Sequence, residues 1–266
     1  IIMAICVFSI VEINPPTQSA GKSSLVKDIS SLVKNKYYIM FLGEVFFLFL
    51  GYLSMYGAMQ YYYTYIVGDV SGMSLALTLL TLLAIPTMIL AAYLNGKGIA
   101  KIKLIQFGAI VDIVGYAILF FTSDGTIATA ALGLIGLGFG FRSSMFFSMM
   151  PDIFDYTEWQ VGRNLGGTQN AIQGFVNKVS SAAASAIVSA LLVWGNYDAS
   201  KLDKAIADGV DIATKYPQTH TAINFAFGGL ALVSTVMAVV VLLPYDLDKK
   251  YPQIRADLDK RHNENA

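Results

Sequence analysis

Six long stretches of apolar, charge-poor sequence constrain the fold of this chain more than any other feature. Each is long enough to cross a hydrocarbon core of about 30 Å as an α-helix, which rises about 1.5 Å per residue. The stretches are apolar on all sides, whereas the strands of a membrane β-barrel alternate apolar and polar residues. The sequence therefore predicts an all-α integral membrane protein with a six-helix bundle over residues 37–243. The six stretches cover residues 38–67, 73–94, 104–122, 126–150, 166–194 and 220–243.

Composition and cysteine usage exclude several functional classes. Of the 266 residues, 55% are hydrophobic and only 14% are charged, a balance that is atypical of a water-soluble domain. Lys plus Arg and Asp plus Glu number 18 each, so no excess of positive charge indicates a nucleic-acid partner. Cys6, His220 and His262 match no metal-site spacing, and no motif of an intramembrane enzyme is present. We therefore expect no enzyme activity and no cofactor, with the lipid bilayer as a partner.

The segments that flank the bundle complete the domain organisation. Residues 1–13 are apolar but too short to cross a bilayer, which is typical of the end of a preceding transmembrane helix. Residues 14–36 begin with Pro15-Pro16, which ends a helix, and continue as a polar, basic linker that we expect in the cytoplasm. Residues 244–266 form a tail that we interpret as an anchor at the membrane surface.

Lys and Arg are unevenly distributed between the connecting segments. The segments at one face hold only Lys201, Lys204 and Lys215, and the rest of the basic residues outside the spans fall at the other face. The positive-inside rule places the more basic face in the cytoplasm. We therefore expect a multi-pass protein of the plasma membrane whose carboxy terminus is cytoplasmic. The basic set is Lys22, Lys27, Lys34, Lys36, Lys97, Lys101, Lys103, Arg163, Lys249, Lys250, Arg255, Lys260 and Arg261.

Four ionisable side chains lie inside the predicted spans: Glu44, Asp112, Arg142 and Lys178. Each costs about 2.5–3.5 kcal/mol at the centre of a bilayer on insertion scales, so each is a candidate functional position. Glu44 and Asp112 lie about one to two turns from the ends of their spans. They either reach the interface or form a structural pair, or they line a transport pathway.

Arg142 follows a glycine-rich stretch in which Gly136 and Gly140 have the spacing of close helix packing. Two interpretations of Arg142 are open. It pairs with Glu44 or Asp112 inside the bundle, or it offers its planar fork to a substrate carboxylate.

Lys178 lies about twelve residues into the fifth predicted span, too deep to reach the interface easily. A stripe of polar and small residues shares its helix face and suits either a water-filled cavity or a close packing surface. Packing alone gives no reason to retain a lysine, which favours the cavity. We predict that Arg142, Gln173, Asn177 and Lys178 line it. The stripe consists of Asn170, Gly174, Asn177, Lys178, Ser181 and Ser185.

A tyrosine run, Tyr61 to Tyr65, closes the first predicted span. We interpret it mainly as an aromatic belt at the outer membrane interface. Since consecutive residues point in different directions, at least one ring faces inward and is a candidate to stack on a sugar, and Tyr62 is that candidate.

Three features together resemble one transporter family. They are the segment Pro151-Asp-Ile-Phe-Asp-Tyr-Thr-Glu-Trp159 after a glycine-rich helix, the aromatic close Tyr61–Gly68, and a lysine twenty residues after Glu158. This pattern resembles the glycoside-pentoside-hexuronide:cation symporters. The resemblance implies a major-facilitator fold of twelve helices, of which this chain carries the carboxy-terminal half, with an amino-terminal six-helix half as its partner. It also implies transport of a sugar or sugar acid with Na⁺ or H⁺ by alternating access.

The resemblance further implies roles for particular residues. Lys178 matches a lysine near the cation site. Ser143 stands where an aromatic residue packs on the sugar in one branch of the family, which disfavours galactoside stacking and favours an acidic sugar beside Arg142. The substrate-binding set is then Arg142, Ser143, Gln173, Asn177 and Tyr62. A cytoplasmic gate loop between the two halves contains Asp152, Asp155, Tyr156 and Glu158, with Arg163 in place of a family arginine.

The predicted function is therefore a secondary active transporter for a glycoside, pentoside or hexuronide. The alternative is a non-transporting membrane sensor or scaffold derived from half a transporter.

Overall fold

The computed structural model describes residues 25–264, and the helix end predicted for residues 1–13 lies outside this range. The described residues form ten helices and no strand. Two of the helices contain a π-helical turn, at Tyr63–Val67 and at Phe225–Gly229. In chain order the helices are α1 Leu25–Lys34, α2 Lys36–Val67, α3 Ser71–Gly96, α4 Lys101–Phe121, α5 Gly125–Val161, α6 Gly166–Trp194, α7 Ala199–Ala207, α8 Ile212–Lys215, α9 Pro217–Leu242 and α10 Leu247–Glu264.

Six of these helices, α2 to α6 and α9, are long and apolar enough to cross a membrane. The predicted all-α fold with six spans is confirmed. Each connection joins the end of one span to the start of the next on the same side of the bundle, so successive spans run in opposite directions. We call the basic end the side at which α2 and α4 begin and α5 and α9 end. The helices α1 and α10 also lie at the basic end, whereas α7 and α8 lie at the other end.

The helix α5 is the centre of the bundle. It packs along α3 on one side and along α4 on the other, while α2 packs against α6 and α9. In the most apolar stretch of α5, 67% of the residues are buried, compared with 22% in α6 and 28% in α3. The helices α3 and α6 therefore present most of their surface outward.

Glycines allow α5 to approach its neighbours closely. A Cβ built at Gly136 would lie 2.9 Å from Leu80 Cα on α3, and one built at Gly138 would lie 2.5 Å from the Gly108 carbonyl oxygen on α4. A Cβ built at Gly140 would likewise contact the Ala84 carbonyl oxygen on α3. The packing role predicted from the spacing of Gly136 and Gly140 is confirmed, since any side chain there would separate the helices.

The predicted gate loop is not a loop but a continuation of α5, which runs without interruption through Pro151 to Val161. Proline removes one backbone donor from a helix, and this tends to end or kink it. Here Lys101 donates to the Ser148 carbonyl at 2.8 Å and to Asp152 at 2.6 Å, on either side of the proline. These two bonds tie the turn around Pro151 to the start of α4.

The tail contains a helix that is docked on the protein. In α10, Ile254 and Leu258 are 3% and 2% exposed, and the helix packs against α5. Trp159 on α5 donates its indole N–H to Asp257 at 3.1 Å. The linker also contains a helix, α1, whose Leu32 is buried.

The tyrosine run is part of the core at the end opposite the basic end. Tyr62 and Tyr63 are fully enclosed and Tyr65 is 9% exposed, so the interpretation as an aromatic belt is wrong for these three rings. Tyr62 stacks on Phe227 with ring centroids 4.4 Å apart and donates to the Thr122 carbonyl at 3.0 Å.

Candidate functional site

A charged triad joins three spans in the middle of the bundle. Arg142 on α5 donates from one terminal nitrogen to Asp112 Oδ2 on α4 at 3.0 Å and from the other to Glu44 Oε1 on α2 at 2.8 Å. All three side chains are buried, with exposed fractions of 1% for Arg142 and Asp112 and 3% for Glu44. The predicted pairing of Arg142 inside the bundle is confirmed, and it involves both carboxylates.

The triad lies deeper than the sequence indicated for Asp112. That residue stands near the middle of α4, which runs from Lys101 to Phe121, so it does not reach the membrane interface. Three of the side-chain atoms of the triad are buried without a hydrogen-bond partner: Glu44 Oε2, Asp112 Oδ1 and Arg142 Nε.

The polar stripe on α6 lies on the outward surface of this chain. Lys178 is exposed, Gln173 and Asn177 are partly exposed, and Ser185 is exposed. Lys178 makes no hydrogen bond or ion pair with the part of the chain that the structure describes. A charged side chain at the centre of a span is thus left without a partner from its own bundle.

Three predicted substrate contacts lie away from this stripe. Tyr62 is enclosed in the aromatic core, and both terminal nitrogens of Arg142 are occupied by carboxylates. Ser143 is 6% exposed and donates to the Phe139 carbonyl at 2.7 Å. In this arrangement none of the three presents a free surface to a substrate. The enclosure of Tyr62 and Arg142 follows from helix packing, which their positions in the sequence do not specify.

The structure brings the five predicted gate residues together at the basic end. Their partners all belong to this chain. Asp152 pairs with Lys101, and Arg163 pairs with Asp28. Asp155 pairs with Arg255 at 3.1 Å and accepts a hydrogen bond from Tyr251 at 2.8 Å, while Glu158 contacts His262 at 2.8 Å. Tyr156 packs edge-on against Tyr37, with ring centroids 4.8 Å apart.

Hydrogen bonds at this end shift the pKa values of several groups outside the spans. The bonds from Lys250 and Tyr37 hold the pKa of Asp246 well below its ordinary value of 3.8. The same contacts raise the pKa of Lys250. The hydrogen bond to Asp155 raises the pKa of Arg255. These shifts favour the charged forms of Asp246, Lys250 and Arg255.

Sequence reasoning missed the partners of the gate acids. Lys101 was counted only as a basic loop residue, although it begins α4 beside the end of α5. Tyr251, Arg255 and His262 on α10 were also missed. A usable signal is their spacing, which together with the buried Ile254 and Leu258 places them on one helix face.

The fold and the site define a polytopic membrane protein with six antiparallel spans, a buried charged triad and an outward polar stripe. The chain belongs to the MFS/sugar transport protein family, which matches residues 1–249. The resemblance to the symporter family is thereby confirmed, as is the prediction that the chain is not an enzyme.

Three curated relatives are similar over much of the chain. The isoprimeverose transporter of Lactiplantibacillus pentosus is 27% identical over 274 residues, which cover 100% of this chain and 54% of the relative. The inner membrane symporter YicJ of Escherichia coli K12 is 27% identical over 73% of this chain and 39% of its own length. The glucuronide carrier protein homolog of the same organism is 22% identical over 61% of this chain and 34% of its own length. The chain spans about half the length of the first of these relatives and less of the other two.

Proposed function

We propose that this chain forms the carboxy-terminal six-helix half of a symporter that carries a sugar or sugar acid with Na⁺ or H⁺. The family and the six spans support this proposal. The partner is an amino-terminal six-helix half, and the two halves alternate access by rocking against each other. We further propose that the protein lies in the plasma membrane with its basic end in the cytoplasm.

The single observation that carries the proposal is Lys178. A lysine exposed at the centre of a span costs several kcal/mol against lipid, so it faces water or a partner outside this chain. The exposed surface of α6 also has two parts. The arc with Asn170, Gly174 and Ser185 is polar or small, whereas the arc with Phe175 and Val179 is apolar. This division is expected of a helix between a wet cavity and lipid.

The chemistry of the stripe suits a polyhydroxylated substrate. Gln173 and Asn177 each offer donors and acceptors to hydroxyl groups, and Lys178 offers a positive charge to a sugar acid or acts near the coupling cation. Ser143 remains a candidate contact once the halves move. Two of the relatives are named for isoprimeverose and for a glucuronide, which fits the pentoside or hexuronide class.

The gate at the basic end is proposed to act through exchange of partners. Asp152, Asp155 and Glu158 are paired within this chain by Lys101, Arg255 and His262. Rocking of an amino-terminal half toward this end brings its own basic residues against the same acids. Closure at the cytoplasmic side then competes with the contacts of α10.

Transport by the full native polypeptide tests the proposal. In membrane vesicles, a panel of radiolabelled glycosides, pentosides and hexuronides, including isoprimeverose and a glucuronide, would be offered with an inward Na⁺ or H⁺ gradient. We expect Lys178→Ala to lower gradient-driven uptake at least about tenfold, because the cavity loses its central charge. Lys215→Ala removes a lysine outside the spans and is expected to retain full uptake.

The amount of each variant in the membrane fraction controls for insertion. Full uptake by correctly inserted Lys178→Ala would contradict the assignment. Sugar binding without uptake by the unmodified protein would replace the symporter with the sensor or scaffold.

A further inference from the structure

We propose that the Glu44–Arg142–Asp112 triad is a proton-binding site that holds one proton in the folded protein. The site is distinct from Lys178 and from the polar stripe of α6. The proposal does not depend on the identity of the sugar or on transport activity, since it concerns a cluster enclosed within this half of the molecule.

The charge count of the triad is the first argument. Two ionised carboxylates and one guanidinium leave one net negative charge, and all three residues are at most 3% exposed. No other basic residue of the described chain forms an ion pair with Glu44 or Asp112. An uncompensated charge at membrane depth is strongly unfavourable, whereas one added proton makes the cluster neutral.

Unpartnered oxygens provide a second, independent argument. Glu44 Oε2 and Asp112 Oδ1 are both buried without a hydrogen-bond partner. Asp112 Oδ1 and the Gly108 carbonyl oxygen both lie against Gly138, because a Cβ built there would contact each of them. Neither of these oxygens donates a hydrogen bond while Oδ1 is ionised. Protonation gives Oδ1 a hydrogen that it can donate, as a buried carboxylic acid requires.

The geometry favours a proton over a metal ion. Arg142 lies within 3.0 Å of one oxygen of each carboxylate, so its positive charge occupies the position that a metal cation would need. No group of three or more metal-ligating acids, histidines or cysteines is found among residues 25–264. A proton needs only one oxygen, whereas Na⁺ requires a shell of several.

The titratable groups around the triad are tyrosines. Tyr52 on α2 and Tyr116 on α4 lie within electrostatic range of Asp112. The spans α3 and α9 carry no Asp, Glu, Lys or Arg, and α6 carries only the unpaired Lys178. Tyr52 and Tyr56 share a hydrogen bond of 3.1 Å between their hydroxyls, and Tyr56 is 37% exposed. This pair joins the exposed Tyr56 to Tyr52, which lies within electrostatic range of Asp112.

Infrared difference spectroscopy of the full native polypeptide tests the proposal directly. A protonated carboxyl gives a carbonyl-stretch band that a carboxylate lacks. At neutral pH the unmodified protein is expected to show this band for one carboxyl of the triad. Asp112→Asn and Glu44→Gln are each expected to lose it, because the single carboxylate that remains is neutralised by Arg142.

Asp246→Asn is the matched control, since Asp246 is already paired with Lys250 at 2.7 Å and should contribute no such band.

A second measurement follows the midpoint of thermal unfolding against pH at fixed Na⁺. The folded protein binds a proton that the unfolded chain releases at neutral pH, so stability falls as the pH rises. This slope should be smaller in Asp112→Asn and in Glu44→Gln.

The proposal is overturned if the band is absent from the unmodified protein at neutral pH, or if it persists in both carboxyl variants. It is also overturned if Na⁺ at constant pH stabilises the unmodified protein but not Asp112→Asn, since a metal ion would then occupy the site. The spectrum of the unmodified protein decides the first point even if one variant does not fold.

Discussion

At the scale of single residues, charge was the most reliable guide. An arginine inside a membrane is stabilised by a carboxylate, and this made Glu44 or Asp112 candidate partners of Arg142 beside a substrate carboxylate. That Arg142 binds both could not be predicted, because it depends on how α2 and α4 meet α5. The same limit applies to Tyr62, whose aromatic side chain suits a belt, a sugar site or a core equally well until Phe227 is placed beside it.

The glycines of α5 allow a sharp prediction at this scale. Gly136→Ala places a Cβ against the Leu80 carbonyl oxygen and 2.9 Å from Leu80 Cα, and this backbone cannot move aside without separating α3 from α5. We expect a loss of about 1–3 kcal/mol in stability, the usual cost of overpacking a tight contact. The midpoint of thermal unfolding in detergent measures it.

Gly57→Ala is the matched control, since nothing lies within 4 Å of a Cβ at this position in α2. It should be neutral or slightly stabilising because alanine favours a helix. Equal behaviour of the two variants would contradict the close packing of α3 on α5.

At the scale of helices, the spans could be predicted and the docked pieces could not. Span length and hydropathy are local properties, so the first predicted stretch, 38–67, differs little from α2, Lys36–Val67. The continuation of α5 through Pro151 was missed because proline usually ends or kinks a helix, and the lysine that contacts the turn around it, Lys101, lies 47 residues away in the sequence. The docking of α10 was missed for a similar reason, since its partners lie about one hundred residues away.

The packing of α10 gives a second prediction. Leu258→Asp introduces a carboxylate at a position that is 2% exposed, and the loss of a buried leucine costs about 1.5–3 kcal/mol. We expect α10 to leave the bundle and limited proteolysis of the tail to become at least about tenfold faster. Gln253→Asp adds the same charge at an exposed position of α10 and should leave the cleavage rate unchanged. Unchanged proteolysis of Leu258→Asp would show that α10 is held by its polar contacts alone.

At the scale of the whole molecule, the outward faces of α3 and α6 are the main consequence of the architecture. Most residues in the most apolar stretches of these two spans are turned away from the rest of the described bundle. The sequence indicated this for α6, because lysine and asparagine at mid-span are unsuited to lipid. The sequence could not indicate that α3 also faces outward, because α3 carries no charged residue.

The two arcs of α6 allow a third prediction. Ser185 and Ala186 are adjacent and both exposed, but they point about 100° apart, toward the polar and the apolar arc respectively. In the full polypeptide with Cys6 replaced by serine, Ser185→Cys should react with a membrane-impermeant thiol reagent. Ala186→Cys should react at least about tenfold more slowly, because a thiol in lipid does not ionise. Equal labelling would show that the polar arc of α6 does not face water.

Because α5 is one continuous helix, it mechanically connects the two sides of the bundle. Its 37 residues extend about 55 Å, from one side of the bundle through Arg142 to Asp155 and the docked tail. Because a continuous helix tilts as one body, a small rotation about its glycine contacts with α3 becomes a larger sideways displacement at its far end. A fluorophore on the exposed side of α10 would therefore report, from the surface, on events at the centre of the membrane.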